Sequence, residues 1–216
     1  MNKIFSASTL LLLIGTCLLS SCGKTPPPNP NQTKVEELKP VNPHPEGSYE
    51  HFKFENYPFT TRNWKDNNLL TKANPLNTNV RLDLSKQRGF LMVGNQVAMD
   101  YRISSGRSTH PTPTGDFKIL EKTKDKRSNL YGKIYDAEEN LIHSDADTRI
   151  DEIPEGGSFV GAGMAYWMRL THFGIGMHQG EVDHRYASHG CIRSHPDAVP
   201  IVFSKVKVGT PVSIVP

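Results

Sequence analysis

Between residues 80 and 103 apolar side chains recur at every second position: Val80, Leu82 and Leu84 flank Arg81 and Asp83, and Val97, Met99, Tyr101 and Ile103 repeat the pattern. A period of two puts those side chains on one face of an extended chain, so this region builds half-buried strands rather than helices. Gly89 to Val93 reads as a short apolar strand between them, and Gly94-Asn95 has the chemistry of a hairpin turn. Two prolines and a glycine keep 110–115 from being helical and turn the chain into a strand over Phe117 to Leu120. Tyr166 to Thr171 and Phe173 to His178 read as further strands, and Val206 to Val215 as a closing hairpin turned at Gly209-Thr210-Pro211. A helix is expected from Ser194-His195-Pro196-Asp197, with Val199, Val202, Phe203 and Val206 inward; Pro200 makes it short or late. Residues 122–160 are polar and glycine-bearing, and read as a long irregular lid or binding loop. The expectation is a mainly β single domain with one or two short helices.

The N-terminus follows different rules. Lys3 precedes a short apolar run, Leu10 to Leu19, broken by Gly15, Thr16 and Cys17. It is shorter than the about 20 apolar residues that span a bilayer, and fits a secretory signal peptide. Leu19-Ser20-Ser21-Cys22-Gly23 then resembles the lipobox of bacterial lipoproteins, where cleavage precedes the cysteine and the cysteine carries diacylglycerol. The expected organisation is a leader over 1–22, a spacer over 23–48, an irregular lead-in over 49–77 and the main domain over 78–216. Seven prolines between residues 26 and 45 hold the spacer extended and deny it a core. Gly23 in place of an aspartate favours the outer membrane, facing the periplasm. With 36% hydrophobic and 22% charged residues and a net charge of +3, the chain has the composition of a globular protein and no basic run for nucleic acid.

Cysteine arithmetic then narrows the chemistry. Cys17 leaves with the leader and Cys22 is blocked by lipid, so Cys191 is the one thiol of the mature chain. An unpaired cysteine in an exported protein is either buried and inert or working. In Gly174-Ile175-Gly176-Met177-His178, strand alternation sends Ile175 and Met177 to the core and His178 outward, with glycines leaving space before the imidazole. In Ser188-His189-Gly190-Cys191-Ile192-Arg193, Ile192 points inward while His189, Cys191 and Arg193 share the outer face. Joining these segments sets His178 beside Cys191, where an imidazole activates a thiol that is otherwise only a few per cent ionised at neutral pH. Gly190 lets backbone amides approach a developing oxyanion, and Arg193 suits a substrate carboxylate or carbonyl.

Two metal readings compete. His172, His178, His184, His189, Cys191 and His195 are numerous enough for zinc, but none of the usual paired spacings occurs. Asp145, Asp147 and Asp151 hint at calcium, but Arg149 occupies a ligand position and the loop glycine is missing.

The run MHQGEVDHRYASHGCIR, residues 177–193, resembles the signature of the YkuD-type L,D-transpeptidases. VRLDLSKQRGFL at 80–91, PTPTGDFKILEK at 111–122 and KVGTPVSIV near the end extend the resemblance over roughly 78–215. It implies a twisted β-sandwich-like catalytic domain that cross-links peptidoglycan and is a carbapenem target. By the same resemblance Cys191 is the nucleophile, His178 the general base and Gln179 its carbonyl orienter. Ser188, His189, Gly190 and Arg193 would shape the substrate and oxyanion pocket; from position alone, segment 122–160 is expected to cover the donor peptide, with Met164 and Tyr166 at its edge. The implied partners are donor and acceptor stem peptides and the membrane, through the lipid; the enzyme would be a monomer without metal or organic cofactor. Release of D-alanine would leave a thioester on Cys191 for an acceptor amine. A hydrolase using the same thioester and a non-catalytic wall-binding lipoprotein are the alternatives.

Overall fold

The computed structural model describes residues 40–183 and 185–216. The leader, Cys22, the spacer up to residue 39 and His184 lie outside them. Chain order runs α1 (Tyr49–Phe54), β1 (Trp64–Lys65), α2 (Asn67–Lys72), β2 (Thr78–Asp83), β3 (Arg88–Val93) and β4 (Gln96–Ser104). It continues through β5 (Gly115–Lys118), β6 (Glu121–Thr123), β7 (Arg127–Tyr135), β8 (Leu141–Asp147), β9 (Ser158–Gly163) and β10 (Trp167–Arg169). It ends with β11 (Gly176–Gln179), β12 (Ile192–Ser194), α3 (Val199–Lys205) and β13 (Pro211–Val215).

The alternating segments form the middle of a ten-stranded sheet ordered β5-β13-β2-β3-β4-β12-β11-β10-β6, with β1 also on β4. Val80, Leu82, Leu91, Met99, Tyr101 and Ile103 meet Met168, Met177 and Ile192 in one core. Side chains from both halves of the strand order therefore share one interior, and the sheet curls around it. Val199, Val202 and Val206 on and beside α3 close that interior. Pro200 sits in the first turn of α3, where its missing N–H costs nothing, so the helix starts late, at Val199.

Three expectations are corrected. The closing hairpin does not form: β13 runs parallel to β2 and antiparallel to β5, inserted between them. The lead-in is ordered, with α1, β1 and α2 in it, and it covers the sheet. Asp100 on β4 is fully buried with Arg88 of β3, Nε to Oδ1 2.6 Å, and Tyr49 of α1 donates to the other carboxylate oxygen at 2.6 Å. Arg88 also donates to the carbonyls of Thr60 and Arg62, so the buried charges have several hydrogen-bond partners. This explains why 98–101 are all buried although their pattern alternates: β4 has the core on one face and the lead-in on the other.

The third correction concerns 122–160. After β6, this segment is mostly a separate antiparallel sheet ordered β8-β7-β9, completed by β9 up to Gly163. Its glycines mark close backbone approach rather than a flexible loop. A Cβ on Gly161 would lie 1.8 Å from the Ser128 carbonyl, and one on Gly132 2.3 Å from that of Val160.

Candidate active site

β11 and β12 lie side by side in parallel, with Met177 opposite Ile192 and His178 opposite Arg193. Met177 and Ile192 enter the core, so His178 and Arg193 share the opposite face. One residue back along the register, Cys191 falls level with Gly176, diagonal to His178 on that face. A parallel pair needs a long crossover, and residues 180–191 supply it. That crossover is tied to the end of β4: Arg102 donates to the Val182 carbonyl at 2.8 Å, Ser104 to that of Arg185, and Ala187 N–H to that of Ser105 at 2.9 Å.

His178 is buried, and its Nδ1 lies 2.7 Å from the carbonyl of Gln179. A carbonyl only accepts, so Nδ1 carries the proton and Nε2 keeps its lone pair. Burial, followed by repulsion from Arg193, outweighs the Gln179 hydrogen bond and lowers the imidazole pKa to about 4. Cys191 is partly exposed. Burial pushes its thiol up, against a hydrogen bond from the Gly176 backbone and the nearby charges of Arg193 and Arg169. Both shifts favour the neutral form of their group. This geometry suits proton removal during attack.

The space expected from the two glycines before the imidazole is open at Gly174, where a Cβ would meet nothing within 4 Å, and filled at Gly176. A Cβ on Gly176 would lie 2.6 Å from the Trp167 ring, whose centroid is 6.2 Å from that of His178. Gly176 admits the indole, not a substrate.

Two cavities open at Cys191. The first, about 620 Å³, is lined by His178, Arg193, Ser188, His189 and Met164 among others. The second, about 310 Å³, is lined by Met164, Trp167, Arg169, Lys126 and His189. His178 borders the first and is absent from the second.

The remaining expected residues divide. Ser188 holds the turn: its hydroxyl accepts the Gly190 N–H at 3.1 Å and donates to the Cys191 carbonyl. The Gly190 amide is thereby engaged and unavailable to an oxyanion. Gly190 has φ +103°, and a Cβ there would lie 2.6 Å from Ile175 Cδ1. Gln179 contributes its carbonyl, and its side chain lines neither cavity. Tyr166 is not at the edge of the site; its ring packs on Phe203 at 5.4 Å, against the core.

His189 joins a network that sequence reasoning missed. It stacks on Tyr131 of β7 at 4.0 Å, is hydrogen-bonded to Arg107, and stands 3.7 Å from Asp145 of β8. Burial lowers its pKa; Asp145 opposes this, while Arg107, His110 and Arg193 add to it. The β8-β7-β9 sheet is thus attached through the His189 imidazole to the turn that bears Cys191. No signal for Tyr131 or Asp145 exists in their local sequence. Arg107, which donates to both His189 and Asp145, was also missed. Among the described residues no three His, Cys, Asp or Glu side chains gather as a metal ligand set. Asp145 faces Arg107, and Asp147 pairs with Arg149.

The family profile described as the L,D-transpeptidase catalytic domain, YkuD, matches residues 77–214. No curated protein matches the chain. Among solved structures, an L,D-transpeptidase from Mycobacterium smegmatis is 20% identical, with a TM-score of 0.49, over 65% of this chain and 59% of that one. L,D-transpeptidase 1 of Mycobacterium tuberculosis is 24% identical, with a TM-score of 0.45, over 64% and 62%. A variant of the Enterococcus faecium L,D-transpeptidase is 25% identical, with a TM-score of 0.46, over 64% and 50%. The chain therefore spans less than two thirds of each of these proteins.

Proposed function

We propose, on the premise that this chain belongs to the YkuD family of L,D-transpeptidase catalytic domains, that it cross-links peptidoglycan stem peptides through a thioester on Cys191. The observation that carries the reading is the fixed tautomer of His178: Nδ1 is held by Gln179, and Nε2 keeps a lone pair in the cavity it shares with Cys191, whose thiol donates to the Gly174 carbonyl at 3.6 Å.

The Cys191 sulfur attacks the carbonyl of the third residue of a donor stem while its proton passes to His178 Nε2. The C–N bond to the terminal D-alanine breaks as His178 returns that proton to the departing amine, leaving a thioester. An acceptor amine attacks the same carbonyl, His178 takes its proton, and the sulfur leaves and is reprotonated. The negative charge on the carbonyl oxygen needs a donor in each step. With the Gly190 N–H taken by Ser188, the Cys191 N–H is the donor of this turn that suits the role. Arg193, opposite His178, offers a permanent cation to the substrate.

The reading extends to location: a lipid on Cys22 and the proline-rich spacer would hold the domain at the outer membrane, facing the periplasm. The test is mass spectrometry of purified muropeptides incubated with the protein. Dimers joined between third-position residues support transpeptidation. Shortened monomers alone point to water as acceptor, and unchanged muropeptides contradict the enzymatic reading.

A further inference from the structure

The two cavities at Cys191 differ in which catalytic group they contain and in charge. His178 must exchange a proton with both the leaving amine and the incoming acceptor amine, so both belong in the first cavity, which it lines. The acyl part of the donor then extends into the second. The first cavity mixes two carboxylates, Asp145 and Glu181, with the cations Arg127, Lys133 and Arg193. The second has no carboxylate: its charged lining groups are Lys126, Arg149 and Arg169, with His110 and His189.

Two of those cations are committed. Arg149 pairs with Asp147, and Arg169 Nε donates to Glu121 at 2.7 Å. Lys126 is half-buried, and its ammonium has no hydrogen bond or ion pair among the described residues. Trp167 lines the same wall, and its buried indole N–H has no hydrogen-bond partner among the described residues. A buried donor without an acceptor is unfavourable, and a ligand acceptor that reaches it removes that penalty. The cavity is close to the chemistry, because Arg169 pairs with Gly176, in the row that contains Cys191.

We propose that the second cavity is an anion subsite that selects donors bearing a free carboxylate on the acyl side of the scissile bond, bound by Lys126, the Trp167 N–H and the outer edge of Arg169. It rests on the transpeptidase reading for the identity of the donor. The carboxylate belongs to the side chain of the residue whose carbonyl is attacked, or to the residue before it. At the position that is read, amidation of the carboxylate converts a good donor into a poor one.

Binding separates this from the parent reading. Tetrapeptide donors with both carboxylates free, with the third residue amidated and with the second amidated are titrated calorimetrically into the Cys191→Ala protein at low ionic strength. One of the two amides is expected to bind about tenfold more weakly than the free acid, and which one identifies the carboxylate. Lys126→Gln should bring the acid-to-amide ratio close to one. Arg169→Lys, which retains a cation for Glu121, should keep most of it, and Trp167→Phe, which keeps the ring, should reduce it. Equal binding of all three donors, or a ratio unchanged by Lys126→Gln, overturns the proposal. Discrimination without turnover by the unmodified protein contradicts the transpeptidase reading and leaves the subsite standing; cross-linking without discrimination does the reverse.

Discussion

His178 holds its Nδ1 proton against the carbonyl of its own neighbour, Gln179, at 2.7 Å, so one backbone atom sets the tautomer of the proposed base. A backbone carbonyl does not titrate, and the arrangement is independent of the Gln179 side chain. Gln179→Ala should therefore leave the rate of D-alanine release within about threefold of the unmodified protein. His178→Gln should lower it by about 100-fold or more. Both are read in a release assay on a tetrapeptide donor.

Burial lowers His178 to about 4 and raises Cys191, so both groups of this sheet face favour their neutral forms. Alkylation of Cys191 by iodoacetamide should accelerate steadily with pH from 6 to above 9. A preformed thiolate–imidazolium pair would instead give a rate already on a plateau near pH 6. Acylation by a donor or a carbapenem should lose its acid limb only near pH 4, where His178 takes a proton.

The same burial links protonation to folding. The folded state resists a proton on His178 that the unfolded chain accepts at its usual value of about 6.5. Between these values the unfolded state binds more protons, so the His178 contribution to stability is intact above pH 6.5 and is lost as pH falls towards 4. The shift corresponds to about 3 kcal/mol. Urea unfolding at pH 7 and pH 4 should show the unmodified protein losing more stability than His178→Gln by about that amount.

The fold was legible where one face of a strand meets the core and the other meets solvent, as in 80–84 with its buried Val80 and Leu82. It was illegible in β7 to β9, because these strands carry polar residues on both faces and bring glycines together at 132 and 161. The pairing of His178 with Cys191 on one face followed from alternation alone. Alternation also held an unused signal: Tyr166 shares parity with core-facing Met168, while Trp167 shares it with Arg169 and with neither core position. The Tyr131–His189 stack joins residues 58 positions apart, one in β7 and one in the turn before β12, and no local pattern encodes it.

The lead-in is fastened by a buried charge. Asp100→Asn leaves the Arg88 guanidinium buried beside a neutral group and should destabilise the protein by about 3–5 kcal/mol. Tyr49→Phe removes one hydrogen bond to the same carboxylate and should cost about 1–2 kcal/mol. Denaturant midpoints measure both.

Gly190→Ala tests the turn under the nucleophile. The left-handed φ of +103° and the approach to Ile175 oppose any side chain there. Acylation of Cys191 should slow by at least about tenfold as the turn shifts, with a loss of about 1–2 kcal/mol in stability. Ser188→Ala, which frees the Gly190 amide, should slow acylation less than Gly190→Ala does.

Intact-protein mass spectrometry of a quenched reaction with a tetrapeptide donor, followed by peptide mapping, tests the covalent step most directly. The protein should gain the mass of the donor acyl group without its terminal D-alanine, on the peptide containing Cys191, and hydroxylamine should remove it. D-alanine release that persists in Cys191→Ala, or an adduct mapped to any other residue, contradicts the account.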